Sequence, residues 1–217
     1  MDLPQSPSAP RPIRVLVVDD HPLVREGVSA SIRNQPDMEL CGEAESAEEA
    51  VVAFRKLRPD ITLMDLRMGV ASGIAAISKI REDFPAARIV VLTTYKGDVQ
   101  ALRALKAGAS GYLLKSSLRR DLLSTIRAVH SGRKVIPPDV ATAMALHAAD
   151  DELSDRELEI LRQVAAGLPN KLIADRLRIS PDTVKSHMKN ILSKLGANDR
   201  THAVTLAVKR GYFDLDV

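Results

Sequence analysis

Apolar residues recur in two rhythms along this chain. Up to about residue 132, short β-branched runs alternate with stretches of helical spacing. Val15-Leu16-Val17-Val18 runs unbroken to Asp19-Asp20. Leu23, Val24, Val28 and Ile32 then suggest one apolar helical face lasting until Pro36. Glu39 to Glu43 reads as a second strand and Ala47 to Leu57 as a second helix. Ile61-Thr62-Leu63-Met64 ends on Asp65, with a helix from about Gly73 to Asp83. Ile89-Val90-Val91-Leu92 ends on Thr93, with a helix near Val99 to Ala107. Gly111-Tyr112-Leu113-Leu114 ends on Lys115, with a helix from Arg119 to Ser131.

Five β/α repeats whose strands are almost continuously apolar imply a parallel sheet covered on both faces. Right-handed crossovers then give an α/β doubly wound, five-stranded, flavodoxin-like domain over residues 13–132. Beyond Gly132 the β rhythm stops. Residues 133–152 hold the Pro137-Pro138 break, a short helical stretch from Val140 to His147 and an acidic run, the pattern of a linker with some helix. Residues 153–217 are helical punctuation throughout. Ser154 with Glu157 forms a capping box, and the helix it starts ends at Gly167. Pro169-Asn170 opens a second helix through about Leu177. Ser180 caps a third with Pro181 at its first position; it runs to Leu195 and stops at Gly196. Thr201 to Arg210 forms a fourth, completing a small all-α domain with helix-turn-helix spacing.

Composition narrows the function. The length, 217 residues, suits two small domains, and 45% apolar residues supply their cores. One cysteine, Cys41, and no Cys/His cluster argue against an intramolecular disulfide or a zinc site and for a reducing, cytoplasmic setting. No apolar run reaches the roughly 18 residues of a membrane helix, so no membrane partner is expected. Residues 1–12, Pro- and Ser-rich without an apolar core, read as a flexible tail. The chain's net charge is only +3, but residues 167–210 carry nine Lys/Arg against three acids, a net +6. Such an excess suits a polyanion, although charge alone equally fits a solvated surface.

In an open parallel sheet, ligands bind beyond the carboxyl ends of the strands. Those ends carry Asp19, Asp20, Asp65, Thr93 and Lys115. Converging carboxylates repel unless a cation joins them, and hard oxygen ligands suit Mg2+, which shares phosphate oxygens readily. Lys115 and Thr93 can take the remaining oxygens of a phosphoryl group, and Asp65 can act as the nucleophile that forms an aspartyl phosphate. Each residue alone more often caps a helix or faces solvent; the five together, each at a strand end, form a specific set.

With that set in view, residues 13–132 resemble the receiver domain of two-component signalling. The resemblance implies that Asp65 is the phosphoacceptor. Asp20 would ligate Mg2+ directly and Asp19 through water, with the Arg67 carbonyl as a backbone ligand. Thr93 would be the switch hydroxyl and Tyr112 the aromatic that turns inward with it. Two positions depart from the family pattern: Gly69 stands four residues after the phosphoacceptor where Pro is usual, and Ser116 follows Lys115 where many receivers have Pro. Gly69 frees the local φ and loosens that loop, and the Lys115–Ser116 peptide is a candidate for the cis form.

On the third helix of the all-α domain, Val184, Met188, Ile191, Leu192 and Leu195 fall at core spacing. The complementary face offers Thr183, Lys185, Ser186, His187, Lys189, Asn190 and Lys194, suited to phosphates and base edges. Leu153 to Gly211 resembles a LuxR-type domain through Leu153-Ser154-Asp155-Arg156-Glu157, Asn170-Lys171-Leu172-Ile173-Ala174 and Thr183-Val184-Lys185-Ser186-His187. About nine-tenths of the chain is thus similar to the NarL/FixJ subfamily of response regulators. That likeness implies a bacterial transcription regulator, phosphorylated by a sensor histidine kinase and dimerising through activation on double-stranded promoter half-sites. Lys185, Ser186 and Lys189 would lie nearest the bases, while Glu157 and Leu161 would be structural. The helix from Thr201 to Arg210 would pair subunits, and RNA polymerase is a further candidate partner. Such a protein accepts and loses a phosphoryl group without being a turnover enzyme. Two rivals stand beside it: a Mg2+-dependent phosphohydrolase, against which Arg67 occupies the place of a second carboxylate, and a regulator whose receiver works without phosphate.

Overall fold

The computed structural model describes residues 11–68, 71–94, 98–146 and 152–213. They divide into two units, Met1–Thr94 with Arg103–Pro137, and Tyr95–Leu102 with Pro138–Val217. The linker helix therefore groups with the second unit, and so does the start of the helix after Thr93.

In the first unit, β1 (Ile13–Val18), β2 (Met38–Ala44), β3 (Ile61–Asp65), β6 (Ile89–Thr93) and β7 (Gly111–Leu114) form one sheet in the order β2-β1-β3-β6-β7. Every pairing is parallel. Every residue of β3, β6 and β7 is buried, as unbroken apolar strands under two helical layers require. Between them run α1 (Pro22–Arg33), α2 (Ala47–Leu57), α3 (Gly73–Asp83) and the later part of α4 (Asp98–Lys106), with α5 (Leu118–His130) closing the unit. The chain leaves β1 toward β2 and returns on the other side for β3. This reversal opens the crevice in which doubly wound folds bind ligands.

Four details depart from the sequence reading. Leu23 is 84% exposed, whereas Val28 and Ile32 are buried. At about 100° per residue, Leu23 points nearly opposite Ile32, so the two never shared a face. A two-stranded antiparallel ribbon, β4 (Arg67–Met68) with β5 (Ala71–Ser72), follows Asp65; Gly69 itself lies outside the described residues. Val135, expected in a linker, bridges to Gly111 and accepts the Tyr112 N–H at 2.8 Å, which covers part of the edge of β7. The Lys115–Ser116 peptide is trans, as is every described peptide bond, and Lys115–Ser117 forms one 3-10 turn before α5.

The second unit is helical: α6 (Pro138–Leu146), α7 (Asp155–Ala165), α8 (Asn170–Leu177), α9 (Pro181–Leu195) and α10 (Arg200–Lys209). Its core includes Leu158, Leu161, Ile173, Val184, Met188, Ile191, Leu195 and Phe213, with Leu192 partly buried against it. The Ser154–Glu157 capping box has both arms in place. Ser180 Oγ accepts the Thr183 N–H at 3.0 Å, and Gly196 ends α9 at φ 63°. The turn between α8 and α9 is made by Arg178 in the left-handed region at φ 53°, and the Ile179 N–H closes it on the Ala174 carbonyl at 3.0 Å.

Candidate functional site

The strand register brings the predicted residues to one edge. Val18 pairs with Met64, Asp65 with Leu92 and Thr93 with Leu114, so Asp19, Asp65, Thr93 and Lys115 all emerge at the carboxyl end of the sheet. Asp19 is fully buried, and Asp65 and Thr93 are 2% and 1% exposed. Lys115 Nζ lies 2.8 Å from Asp19 Oδ2 and 2.7 Å from Asp65 Oδ2, spanning the two inner carboxylates. Asp20 is exposed at the rim. The Arg67 N–H donates to Asp65 Oδ1 at 3.3 Å, which sets the β4 backbone beside that carboxylate. A cleft of about 520 Å3 opens over Asp20, Asp65, Arg67 and Lys115.

Burial pushes the Asp65 carboxyl up; Lys115 pulls it down and Asp19 pushes it up again, leaving it above the ordinary carboxylate range. Burial alone would lower the Lys115 ammonium, but its hydrogen bonds to Asp19 and Asp65 outweigh that and hold it raised. The site thus concentrates negative charge that one lysine only partly balances. Asp19, Asp20, Asp65 and His21 each offer a ligand atom within 4.8 Å of the others. Three hard carboxylates beside an open cleft fit a small divalent cation that keeps water and phosphate ligands.

Tyr112 is fully buried and hydrogen-bonded to Thr93, and burial raises its phenol to about 12. The switch aromatic of the sequence reading is therefore already inward here. Two contributors escaped that reading. His21 Nδ1 sits 2.7 Å from Asp20 Oδ1 and 3.2 Å from Asp19 Oδ1; its place directly after the acid pair was the available signal. Gly73 donates its N–H to the Leu66 carbonyl at 3.1 Å. A Cβ there would press on the Asp65 carbonyl oxygen and stand 2.9 Å from Leu66 Cα. Nothing local in the sequence marks that approach.

On α9, Lys185, Ser186, Lys189 and Asn190 are exposed, while Thr183 and His187 are half-buried. Lys185 pairs with Asp182 at 2.9 Å, and the Thr183 hydroxyl lies 2.8 Å from Ser180 Oγ. Lys194 turns away from this group: its Nζ is 2.9 Å from Glu157 Oε2 and 3.1 Å from the Glu152 carbonyl.

An open acidic cleft on a doubly wound sheet, in one chain with a helix-turn-helix, defines the two-domain signalling regulators. Family comparison agrees: residues 15–127 match the response regulator receiver domain and residues 151–207 match the bacterial regulatory proteins of the luxR family. The chain belongs to the LuxR-type response regulators, DNA-binding regulators of transcription. It is 39% identical over 200 residues to the response regulator protein VraR of Staphylococcus aureus, covering 90% of this chain and 96% of that one. Among solved structures, it resembles a LuxR-family two-component response regulator from Aurantimonas sp. (40% identity, TM-score 0.60, 64% of this chain, 99% of that one). It also resembles RcsB of Salmonella enterica serovar Typhimurium, solved on a promoter in the presence of the phosphomimetic BeF3− (28% identity, TM-score 0.69, 91% of this chain, 98% of that one). Among the described residues, no helix is long and apolar enough to cross a membrane.

Proposed function

We propose that a sensor histidine kinase phosphorylates Asp65, that the phosphorylated chain pairs with a second copy, and that the pair binds adjacent promoter half-sites through α9. The observation that carries this reading is the meeting of Asp19, Asp65 and Lys115 within salt-bridge distance beneath an open cleft. One Asp65 oxygen attacks the incoming phosphorus; the bond from phosphorus to the donor nitrogen or acyl oxygen breaks, and the leaving group departs with that electron pair. Lys115 and Thr93 hold the phosphoryl oxygens. Asp19, Asp20, Asp65 and the Arg67 carbonyl would hold Mg2+, which when bound supplies charge neutralisation during transfer. Water later hydrolyses the acyl phosphate, which resets the switch.

The buried Thr93–Tyr112 pair supports a coupling of site to surface, because a shift of Thr93 obliges Tyr112 to repack. Pairing two DNA-binding units makes the second half-site contact intramolecular, so modest affinities combine. Lys185, Ser186 and Lys189 are the proposed base-proximal residues, with Thr183, His187 and Asn190 at the backbone. Lys194 contributes through its hold on Glu157. α10 is the proposed pairing helix on DNA, RNA polymerase a further partner, and the cytoplasm the compartment. The RcsB complex with promoter DNA and BeF3− supports the sequence of events by analogy.

The test is direct. The full chain is incubated with Mg2+ and acetyl phosphate while intact mass and light-scattering mass are followed. Gain of one phosphoryl group with dimer formation, both absent in Asp65→Ala, is the expected result. Dimerisation of Asp65→Ala to the same extent would overturn it.

A further inference from the structure

We propose that Arg25 is a positioning residue of the acidic site, fixing the Asp19–Asp20 peptide and thereby aiming the rim carboxylate of Asp20. This rests on reading that edge as a Mg2+ site, and it adds a residue that lies outside the strand-end set. Arg25 Nη1 donates to the Asp19 carbonyl at 2.7 Å, and Nη2 donates to Glu45 Oε1 at 2.5 Å. Its Nε lies 3.6 Å from Glu43 Oε2. The side chain is only 11% exposed and is not among those lining the cleft. Its guanidinium is engaged by these three acceptors and acts on the backbone beneath the site.

The end of β2 secures this residue pair from two directions. The Asp19 N–H donates to the Ala44 carbonyl at 3.2 Å. The two neighbours of Ala44, Glu43 and Glu45, brace the guanidinium that grips the Asp19 carbonyl. Glu43 is itself anchored, because its Oε1 accepts the Ser29 hydroxyl at 2.8 Å and Arg33 Nη2 at 3.2 Å. A peptide unit is planar, so a carbonyl fixed in direction also fixes the Asp20 N–H and the line to Asp20 Cα. Asp20 needs that guidance, since its carboxylate is exposed and pairs with the exposed imidazole of His21. Asp19, by contrast, is buried against Lys115. Helix stability does not account for Arg25. It is the fourth residue of α1, near the end where the helix dipole disfavours a cation, and the first turn carries no acid to offset it.

Charge and positioning predict opposite results. By charge alone, deleting a cation beside a Mg2+ site tightens Mg2+ binding; releasing the peptide weakens it. The full-length protein, Arg25→Met, Arg25→Lys and Asp20→Asn are titrated with Mg2+ by calorimetry, and melting is followed in parallel. Expected for Arg25→Met is a loss of about tenfold in Mg2+ affinity. Arg25→Lys keeps the charge but replaces the planar fork with one ammonium. A smaller loss in the same direction is expected there, and this variant decides if Arg25→Met does not fold. Lowered melting with Mg2+ affinity unchanged or tighter would make Arg25 a structural ion pair and overturn the proposal. Phosphoryl uptake from acetyl phosphate gives a second readout. The Mg2+ concentration for half-maximal uptake should rise with the lost affinity, while the rate at saturating Mg2+ stays within about twofold. A fall in that rate alone would place the effect at Asp65 and also overturn the assignment. Asp20→Asn binding Mg2+ as the wild type does would remove the cation-site reading itself, an outcome distinct from wild-type affinity in the Arg25 variants.

Discussion

Lys194 Nζ lies 2.9 Å from Glu157 Oε2, and the same oxygen accepts the Ser154 N–H at 2.8 Å. A lysine that helical spacing assigns to the outer face of α9 is thereby tied to the cap of α7. Lys194→Ala should lower the melting temperature of the chain by the equivalent of about 1–3 kcal/mol, since it leaves a buried carboxylate without its cation, held only by Ser154. It should change the affinity of the folded protein for DNA little. Lys189→Ala should do the reverse, leaving melting unchanged while weakening DNA binding and reducing the salt slope by about 1. Loss of affinity without loss of stability in Lys194→Ala would return that residue to the DNA face.

Glu157 should make the second unit acid-sensitive. Burial raises its carboxyl, but Lys194 and Ser154 more than offset this and hold it below its ordinary value of 4.5. A depressed folded-state value means stabilisation that is full above the unfolded value and is lost as pH falls through the folded one. The melting-temperature gap between the wild type and Glu157→Gln should therefore be widest at neutral pH and close below 4.5. A gap that widened in acid would contradict the pairing.

Removing Lys115 leaves Asp19 and Asp65 facing each other without their shared cation. Lys115→Ala should destabilise the metal-free chain by about 3 kcal/mol. Added Mg2+ should raise its melting temperature more than it raises that of the wild type, because a bound ion takes over the neutralisation. Thermal scans with and without Mg2+ measure both terms.

Tyr112 should ionise late in an alkaline titration. Its phenol is pushed to about 12 from 10.0, chiefly by burial, so the folded chain keeps a proton that the unfolded chain releases. Stability should consequently fall as pH rises through that interval. An ultraviolet alkaline titration should show a late component of one tyrosine that Tyr112→Phe abolishes.

Gly73 offers a test remote from the charges. Gly73→Ala must displace the Asp65–Leu66 backbone to make room for a Cβ. The expected cost is about 1–3 kcal/mol, with slower phosphoryl uptake at Asp65 as read by intact mass. Uptake at the wild-type rate would show that the loop yields without moving the carboxylate.

Much of this protein was legible along the chain. The boundaries of α2, α3, α8, α9 and β7 follow from apolar period, Ser caps, Pro181 and Gly196, all local signals. Asp19, Asp65, Thr93 and Lys115 were recognisable because strand ends in a parallel sheet share one edge, whatever the loops do. Leu23 was legible too, once its angle is reckoned against Ile32 rather than its proximity to Val24.

Sequence by itself determined the element types, their order, and which residues could meet at the sheet edge, because periodicity and capping are properties of neighbouring residues. Tertiary structure alone decided the pairings. Lys194 chose Glu157 over the solvent, Val135 joined the edge of β7, Gly73 ceded space to Asp65, and His21 met both acids. Each depends on the distance between atoms on separate elements or on the reach of a flexible side chain, and neither quantity is encoded in spacing along the chain.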